Sequence, residues 1–327
     1  MDLSPFETFL LRTSSAVVCR IFQQSDIMTL VALSRASRTL HAIHLWFAEK
    51  AWDPSWRYRQ YFVHVQAFRR MLRQCDALIS GSFVLQFFDR RRYVNSDLDI
   101  FLRSAGANDM CNWLKKEGYK AVDGVVGYNQ ASRSQHVVRA VASRGPEHGS
   151  LLGVYTFQRL VATAGGHVEL MRVQVIVVDT SPIEHILFEF HSTAVMNFLS
   201  ADEAISVFPL ATFRDRTSFI SHLPSSADKH YAWKRKYRKR GFNLVGESTS
   251  DRVSHLPLGF RTVGDKYCWS IKLRGSVLPD GGRGYYNNPS VRLPFDVLSA
   301  DMGAVSEGCS IKIAEPYLWR CVACNPF

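Results

Sequence analysis

The spacing of apolar residues predicts an α/β (α+β) chain. It has a helical N-terminal unit, a small mixed sheet with helices, and a mixed C-terminal extension. Residues 1–75 repeat apolar side chains at steps of three and four, the period of a helix. From residue 77 the pattern changes to short apolar or alternating runs separated by helix-length segments. After residue 200 turn-rich stretches interrupt both patterns. A chain of 327 residues is long enough for two or three units, with boundaries at 1–75, 76–200 and 201–327.

In the first unit Asp26 is a helix N-cap, and Leu30, Leu33, Leu40, Ile43 and Phe47 follow at helical steps. A second start lies at Asp53, with Pro54 at the first helical position. Tyr58, Tyr61, Val65, Phe68 and Leu72 then form one apolar stripe, read as core. In the second unit "ALISG" is a strand, "SFVLQFFDR" a short helix and "SDLDIFL" a strand. "ANDMCNWLKKEGY" is a helix ending at Gly118. "AVDGVVGY", "GVYTFQRL" and "MRVQVIVVD" are further strands, the first two separated by a polar loop. "SPIEHILFEF" starts a helix at Ser181 with Pro182 at its first position. In the extension "RTVGDKYCWSIKL" reads as strand, and "SSADKHYAWKRKYRKRG" as one helix.

Composition narrows the class. The 46% hydrophobic and 21% charged residues fit a globular core rather than a disordered chain. No apolar run approaches the ~18 residues of a membrane span, and Met1-Asp2 is not a basic leader. The expectation is an intracellular protein without a membrane anchor. Seven cysteines scattered along the chain make no disulfide framework. Cys19, Cys75 and Cys111 fall in apolar or helical patterns. Cys321 and Cys324 form a lone CxxC; Cys268 and Cys309 do not complete a zinc spacing, so a structural or incidental role is preferred.

The formal charge of +11 permits contact with polyanions without selecting one. Seven of the cations fall in "KHYAWKRKYRKRG". The preferred reading is a solvated helix with Trp233 and Tyr237 inward and Gly241 as its stop. The alternative is nucleic-acid contact through Arg235, Lys236, Arg238 and Lys239.

The chemistry-bearing stretch is "ISGSFVLQFFDRRRYVNSDLDIFL". Side chains two apart on a strand share a face, so Asp97 and Asp99 project together while Leu98 and Ile100 pack oppositely. Two carboxylates this close need a proton or a cation between them. A divalent ion with oxygen ligands, Mg2+ or Mn2+, is the economical answer. Gly81 and Ser82 lie between strand and helix, where backbone N–H groups and a hydroxyl suit the phosphates of a nucleoside triphosphate. The bland alternative is a turn cap at Asp97 and a solvated strand edge at Asp99.

Strand, Gly-Ser, helix and Asp-x-Asp on the next strand resemble the nucleotidyltransferase superfamily. Its pattern is hG[GS] followed by [DE]h[DE]h, with a third carboxylate on a later strand. The resemblance implies metal and nucleotide sites at Gly81, Ser82, Asp97 and Asp99. The third position aligns with Gln174 in "RVQVIVVD", which carries no charge. Asp179 and Glu169 are poorer candidates. The chain therefore matches the fold better than it matches the catalytic set.

A closer resemblance covers residues 77 to 242, through "VQVIVVDTSPIEHILFEFHSTAVMNFLS", "AISVFPLATF" and "YRKRGFNL". It is to fungal proteins with an F-box-like N-terminus and a nucleotidyltransferase-like domain. Residues 17–43 resemble an F-box without its usual Leu-Pro opening. That implies a Skp-type ubiquitin-ligase adaptor as partner. A helical lid over the neighbouring core is the other reading. His191 and Ser192 lack an acid partner, so a helix start is preferred to nucleophilic catalysis. His185 is read as a satisfied core residue.

Overall fold

The computed structural model describes residues 3–93, 96–122, 150–162, 166–223, 227–246, 256–273, 292–299 and 305–316. Residues 5–74 are helical as their periodicity requires. Helices α1 (Pro5–Arg12), α2 (Ser15–Gln24), α3 (Ile27–Ala36) and α4 (Arg38–Ala51) lead to α5 (Ser55–Tyr61) and α6 (Val65–Gln74). Asp26 caps α3, its carboxylate accepting from the Thr29 N–H at 2.8 Å. α5 starts one residue later than expected: Pro54 is its N-cap, while Asp53 accepts from the Ser55 N–H at 2.9 Å. The expected stripe from Tyr58 to Leu72 is buried throughout, but the helix breaks at Phe62–His64. Phe62 turns extended there and packs against Phe68, with ring centroids 4.1 Å apart and the rings tilted by 33°.

From residue 78 the chain alternates strand and helix: β1 (Leu78–Ser80), α7 (Ser82–Asp89), β2 (Leu98–Arg103) and α8 (Ser104–Lys116). β3 (Lys120–Ala121), β4 (Leu151–Ala162) and β5 (Val168–Val178) follow, then α9 (Pro182–Phe188), β6 (Asn197–Leu199) and β7 (Glu203–Ser206). Ser181 and Glu184 form a capping box around Pro182 at the start of α9. With β11 (Trp269–Lys272), these strands form an eight-stranded sheet in the order β11-β7-β6-β1-β2-β5-β4-β3. β2 and β5 run parallel; their neighbours in this sheet pair antiparallel. The architecture is α+β.

β8 (Thr217–Phe219) and β9 (Asn243–Val245) pair around helix α10 (Ala227–Lys239). β10 (Gly259–Thr262), β12 (Pro294–Ser299) and β13 (Ile311–Ala314) make a three-stranded antiparallel sheet. The expected strand at 261–273 is thus two strands in different sheets. Asp265 reverses the chain between them, accepting from the Tyr267 and Cys268 N–H groups at 2.9 and 3.2 Å. Most of the strand expected from residue 121, most of the polar loop, the turn-rich stretch 278–290 and Cys321/Cys324 lie outside the described residues.

Alternation along the strands sorts side chains to two cores. Leu98, Ile100 and Leu102 of β2 and Val173, Val175 and Val177 of β5 join one cluster. Phe22, Phe47, Tyr58 and Phe68 of the N-terminal helices belong to the same cluster, so these helices complete that face of the sheet. The opposite face packs on Ile183, Ile186 and Leu187 of α9 and on Phe295 and Val297 of β12. Polar ties reinforce the first face. Arg69 donates to the Ala201 carbonyl at 2.9 and 2.7 Å, and Arg73 pairs with the buried Asp202. No helix among the described residues is long and apolar enough to cross a membrane.

Candidate functional site

β1 ends at Ser80, whose register partner on β2 is Asp99. The next residue, Gly81, takes φ +73°, and a Cβ there would stand 2.6 Å from Asp99 Oδ2. Only glycine reconciles that backbone with that carboxylate. α7 starts at once with Ser82 and has no side-chain N-cap. Its N-terminal amides and the Ser82 hydroxyl therefore open toward the carboxylates.

Asp97 and Asp99 lie on the face of β2 opposite the helical core. Parallel register sets Gln174 of β5 directly beside Asp99, on the same face. Asp99, Asp97 and Gln174 are each half-buried. The Asp99 Oδ1 atom is buried and has no hydrogen-bond partner among the described residues. Burial pushes the Asp99 carboxyl up to about 7, with Asp97 adding to the shift and Lys236 opposing it. Burial also raises Asp97, against the pull of Arg172 and Lys236. Arg172, two residues before Gln174 on the same strand, stands 3.6 Å from Asp97 Oδ1.

The other expected carboxylates do not reach the pair. Asp179 lies past the end of β5, exposed, five residues from Gln174 and hence on the opposite side of an alternating strand. Glu169 is held by Arg92 at 3.3 Å. Among the described residues no three His, Cys, Asp or Glu side chains gather as a metal cluster. The two aspartates and the Gln174 amide oxygen provide an oxygen donor set for one cation. The partnerless Oδ1 is the atom that such a cation would satisfy.

α10 supplies positive charge from the other side. Its C-terminus is a Schellman motif: Gly241, at φ +82°, donates to the Arg238 carbonyl, and Phe242 donates to the Tyr237 carbonyl. That cap fixes Arg240. Its Nη1 donates to Ser82 Oγ at 3.0 Å, and its guanidinium lies 4.3 Å from the centre of the Tyr93 ring. Arg216 grips the Arg240 carbonyl at 2.8 Å. The Lys236 ammonium is lowered by burial and by Arg240, while Asp99 and Asp97 oppose the shift. Arg235, Lys236, Arg238 and Lys239 all have exposed side chains, Lys236 reaching solvent although neighbouring groups crowd its ammonium. The basic helix thus has a solvated face, as expected, and also places Lys236 where it acts on Asp97 and Asp99 and leads into Arg240 on Ser82, which was not expected. Alternation from Gln174 was enough to find Arg172. Nothing in sequence spacing connects Arg240 to Ser82.

The remaining candidates are structural. His185 Nδ1 lies 2.7 Å from Ser150 Oγ and 3.2 Å from Glu189, both on one nitrogen. His191 stacks on Trp233 at 4.0 Å and meets Ser192 Oγ at 2.8 Å, and a short 3-10 turn starts at Thr193.

A cleft of about 750 Å³ opens beside Asp97, between α5 and the start of β5. It is lined by Trp56, Arg57, Phe83, Tyr93 and Arg172 among others.

No family model matches the sequence, and no curated protein matches it. Among solved structures, the chain is similar to a CCA-adding enzyme in an apo form. The two are 14% identical at a TM-score of 0.35, over 62% of this chain and 44% of that one. The chain thus spans less than half the length of that protein, and a likeness at this level carries no argument about activity.

The raised Asp99 carboxyl has a consequence for stability. Folded, it keeps its proton to about pH 7; unfolded, it loses the proton near the ordinary value of 3.8. Between those values the native state binds more protons, so stability falls as pH rises from about 4 to about 7. Asp99→Asn removes this loss. In thermal melts without divalent ions, its melting temperature is expected to gain on wild type steadily through that window. Parallel pH profiles for the two proteins would contradict the burial of this carboxyl.

Proposed function

We propose that this face of the sheet is a nucleotidyltransferase-like site that binds one divalent cation together with a nucleoside triphosphate, and that transfer itself is degenerate. The observation that carries the reading is the partnerless, buried Asp99 Oδ1 beside Asp97 and opposite Gln174. Asp97 and Asp99 would hold the ion, with the Gln174 amide oxygen as a neutral third donor. Mg2+ or Mn2+ bound there supplies charge neutralisation at the phosphates.

The chain's own groups do the rest. The Ser82 hydroxyl and the uncapped N–H groups at the start of α7 donate to phosphate oxygens. Arg240 and Lys236 add positive charge from α10. Gln174 brings neither the charge to hold a second cation nor a site to take a proton from an acceptor hydroxyl. Binding therefore survives where efficient transfer does not.

The test is a thermal-shift titration. Mg2+ and a nucleotide together are expected to raise the melting temperature, and Asp97→Asn or Asp99→Asn to abolish the rise. Gln174→Asp is expected to tighten metal binding by restoring a negative charge. An unmoved wild-type melting curve would show that the pocket is vestigial, and robust transfer by the wild type would show that two carboxylates suffice.

A second reading concerns the helical unit. Phe6, Phe9, Leu11, Val17 and Leu45 of α1, α2 and α4 are exposed apolar residues, which supports a helix-in-groove partner such as a Skp-type adaptor. Purified chain and adaptor are then expected to co-elute at micromolar concentration, and Leu45→Asp to prevent it. Separate elution of the wild type would remove this reading.

A further inference from the structure

The cleft beside Asp97 is one of two. A second, of about 710 Å³, lies between α2–α4 and the segment that ends α7, and Trp56 lines both. The indole is 44% exposed, and the Arg57 guanidinium lies 4.4 Å from its ring centre. An exposed indole on the ridge between two clefts is a stacking platform rather than a core residue.

The charge of the track is lopsided. Its lining carries eight lysines and arginines against four carboxylates. Two of the cations are held by carbonyls and aromatic rings rather than by carboxylates. Arg57 donates to the Gln86 and Arg91 carbonyls at 2.9 and 3.1 Å. Arg90 donates to the Phe22 and Ser25 carbonyls at 2.8 and 2.6 Å. Neither has a carboxylate within salt-bridge distance among the described residues, so each leaves a full positive charge in the floor of its cleft. Burial lowers the Arg57 guanidinium to about 10, with Arg92 adding to the shift and Tyr61 opposing it. Arg91 and Arg92 add exposed charge at the rim, paired with Asp89 at 3.9 Å and Glu169 at 3.3 Å, with side chains 65% and 68% exposed.

We propose that single-stranded nucleic acid binds along this track, stacking a base on Trp56 and setting its phosphates over Arg57, Arg90, Arg91 and Arg92. Fixed guanidiniums at the floor, exposed ones at the rim and an aromatic ridge between them match a chain of flat bases joined by anions. The surface is distinct from the exposed face of α10, where the sequence first pointed. The inference adds an acceptor class to the metal–nucleotide reading. It rests on that reading only for the role of the strand's end, which lies beside Asp97.

The test is fluorescence anisotropy with a fluorescein-labelled single-stranded RNA of about ten nucleotides, within the site sizes usual for such grooves. Trp56→Ala is expected to weaken binding about tenfold or more, and Trp56→Phe to restore most of it, as stacking contributions predict. Trp56→Leu keeps bulk without a ring and is expected to behave as Trp56→Ala, which separates stacking from packing. Arg91→Gln with Arg92→Gln is expected to flatten the dependence on salt by about two charges. Asp99→Asn is expected to leave RNA binding intact, so failure here and failure of the metal–nucleotide reading are separable. The proposal is overturned by any of three results: no binding by the wild type, indifference to Trp56→Ala, or equal competition by an acidic peptide. Loss of binding on neutralising Arg235, Arg238 and Lys239 instead would move the site to α10 and overturn it as well.

Discussion

The approach of Gly81 to Asp99 is the constraint from which the site follows. A glycine at φ +73° allows the chain to leave β1 and enter α7 within one residue, with its backbone against a carboxylate. Any side chain at that position would collide with Oδ2, and any slower turn would carry the start of α7 away from β2. α7 then buries every residue from Ser82 to Phe88, so its axis is fixed and its open N-terminus has a single direction. Burial of the helix and exposure of its first amides to the aspartates are two results of the same turn.

On the proposed reading, charge is the reason a cation and a polyanion would fit this site better together than apart. The β2 side carries two half-buried carboxylates, one raised to about 7 and containing an oxygen with no partner. The α10 side carries Arg240, tied to Ser82, and Lys236, lowered by its surroundings. A lone cation relieves the aspartates and adds to the repulsion on α10; a lone polyanion does the reverse. A cation bound to phosphates answers both sides at once. Arg172 already compensates Asp97 in part, at 3.6 Å, and leaves Asp99 the less satisfied of the two.

Local features were legible because they follow from period and capping. The helical N-terminal unit, the strands around Gly81 and Asp99, the cap at Asp26 and the helix start at Ser181-Pro182 all have side-chain signals within four residues. The shared face of Asp97 and Asp99 follows from alternation, and the position of Gln174 from pairing β2 with the apolar strand β5. What escaped was set by distance along the chain. Arg240 meets Ser82 across 158 positions, through a Schellman cap whose local signal says only that the helix stops at Gly241. The break at Phe62 is invisible to a helical stripe, because no glycine or proline marks it and Phe62 stays apolar, packed against Phe68. The split of residues 261–273 turned on the Asp265 carboxylate, which the β-rich flanks concealed.

The central claim is that the unbalanced oxygens of Asp97 and Asp99 make one cation site. Electron paramagnetic resonance of Mn2+ titrated into the purified chain measures this without a nucleotide or an acceptor. The account predicts loss of the free-ion signal with a stoichiometry of about one per chain, a single strong site in Asp97 and Asp99 being all that two carboxylates can hold. It also predicts return of the free signal in Asp99→Asn. An undiminished signal with wild-type protein, or binding that persists when both aspartates are asparagine, would contradict it.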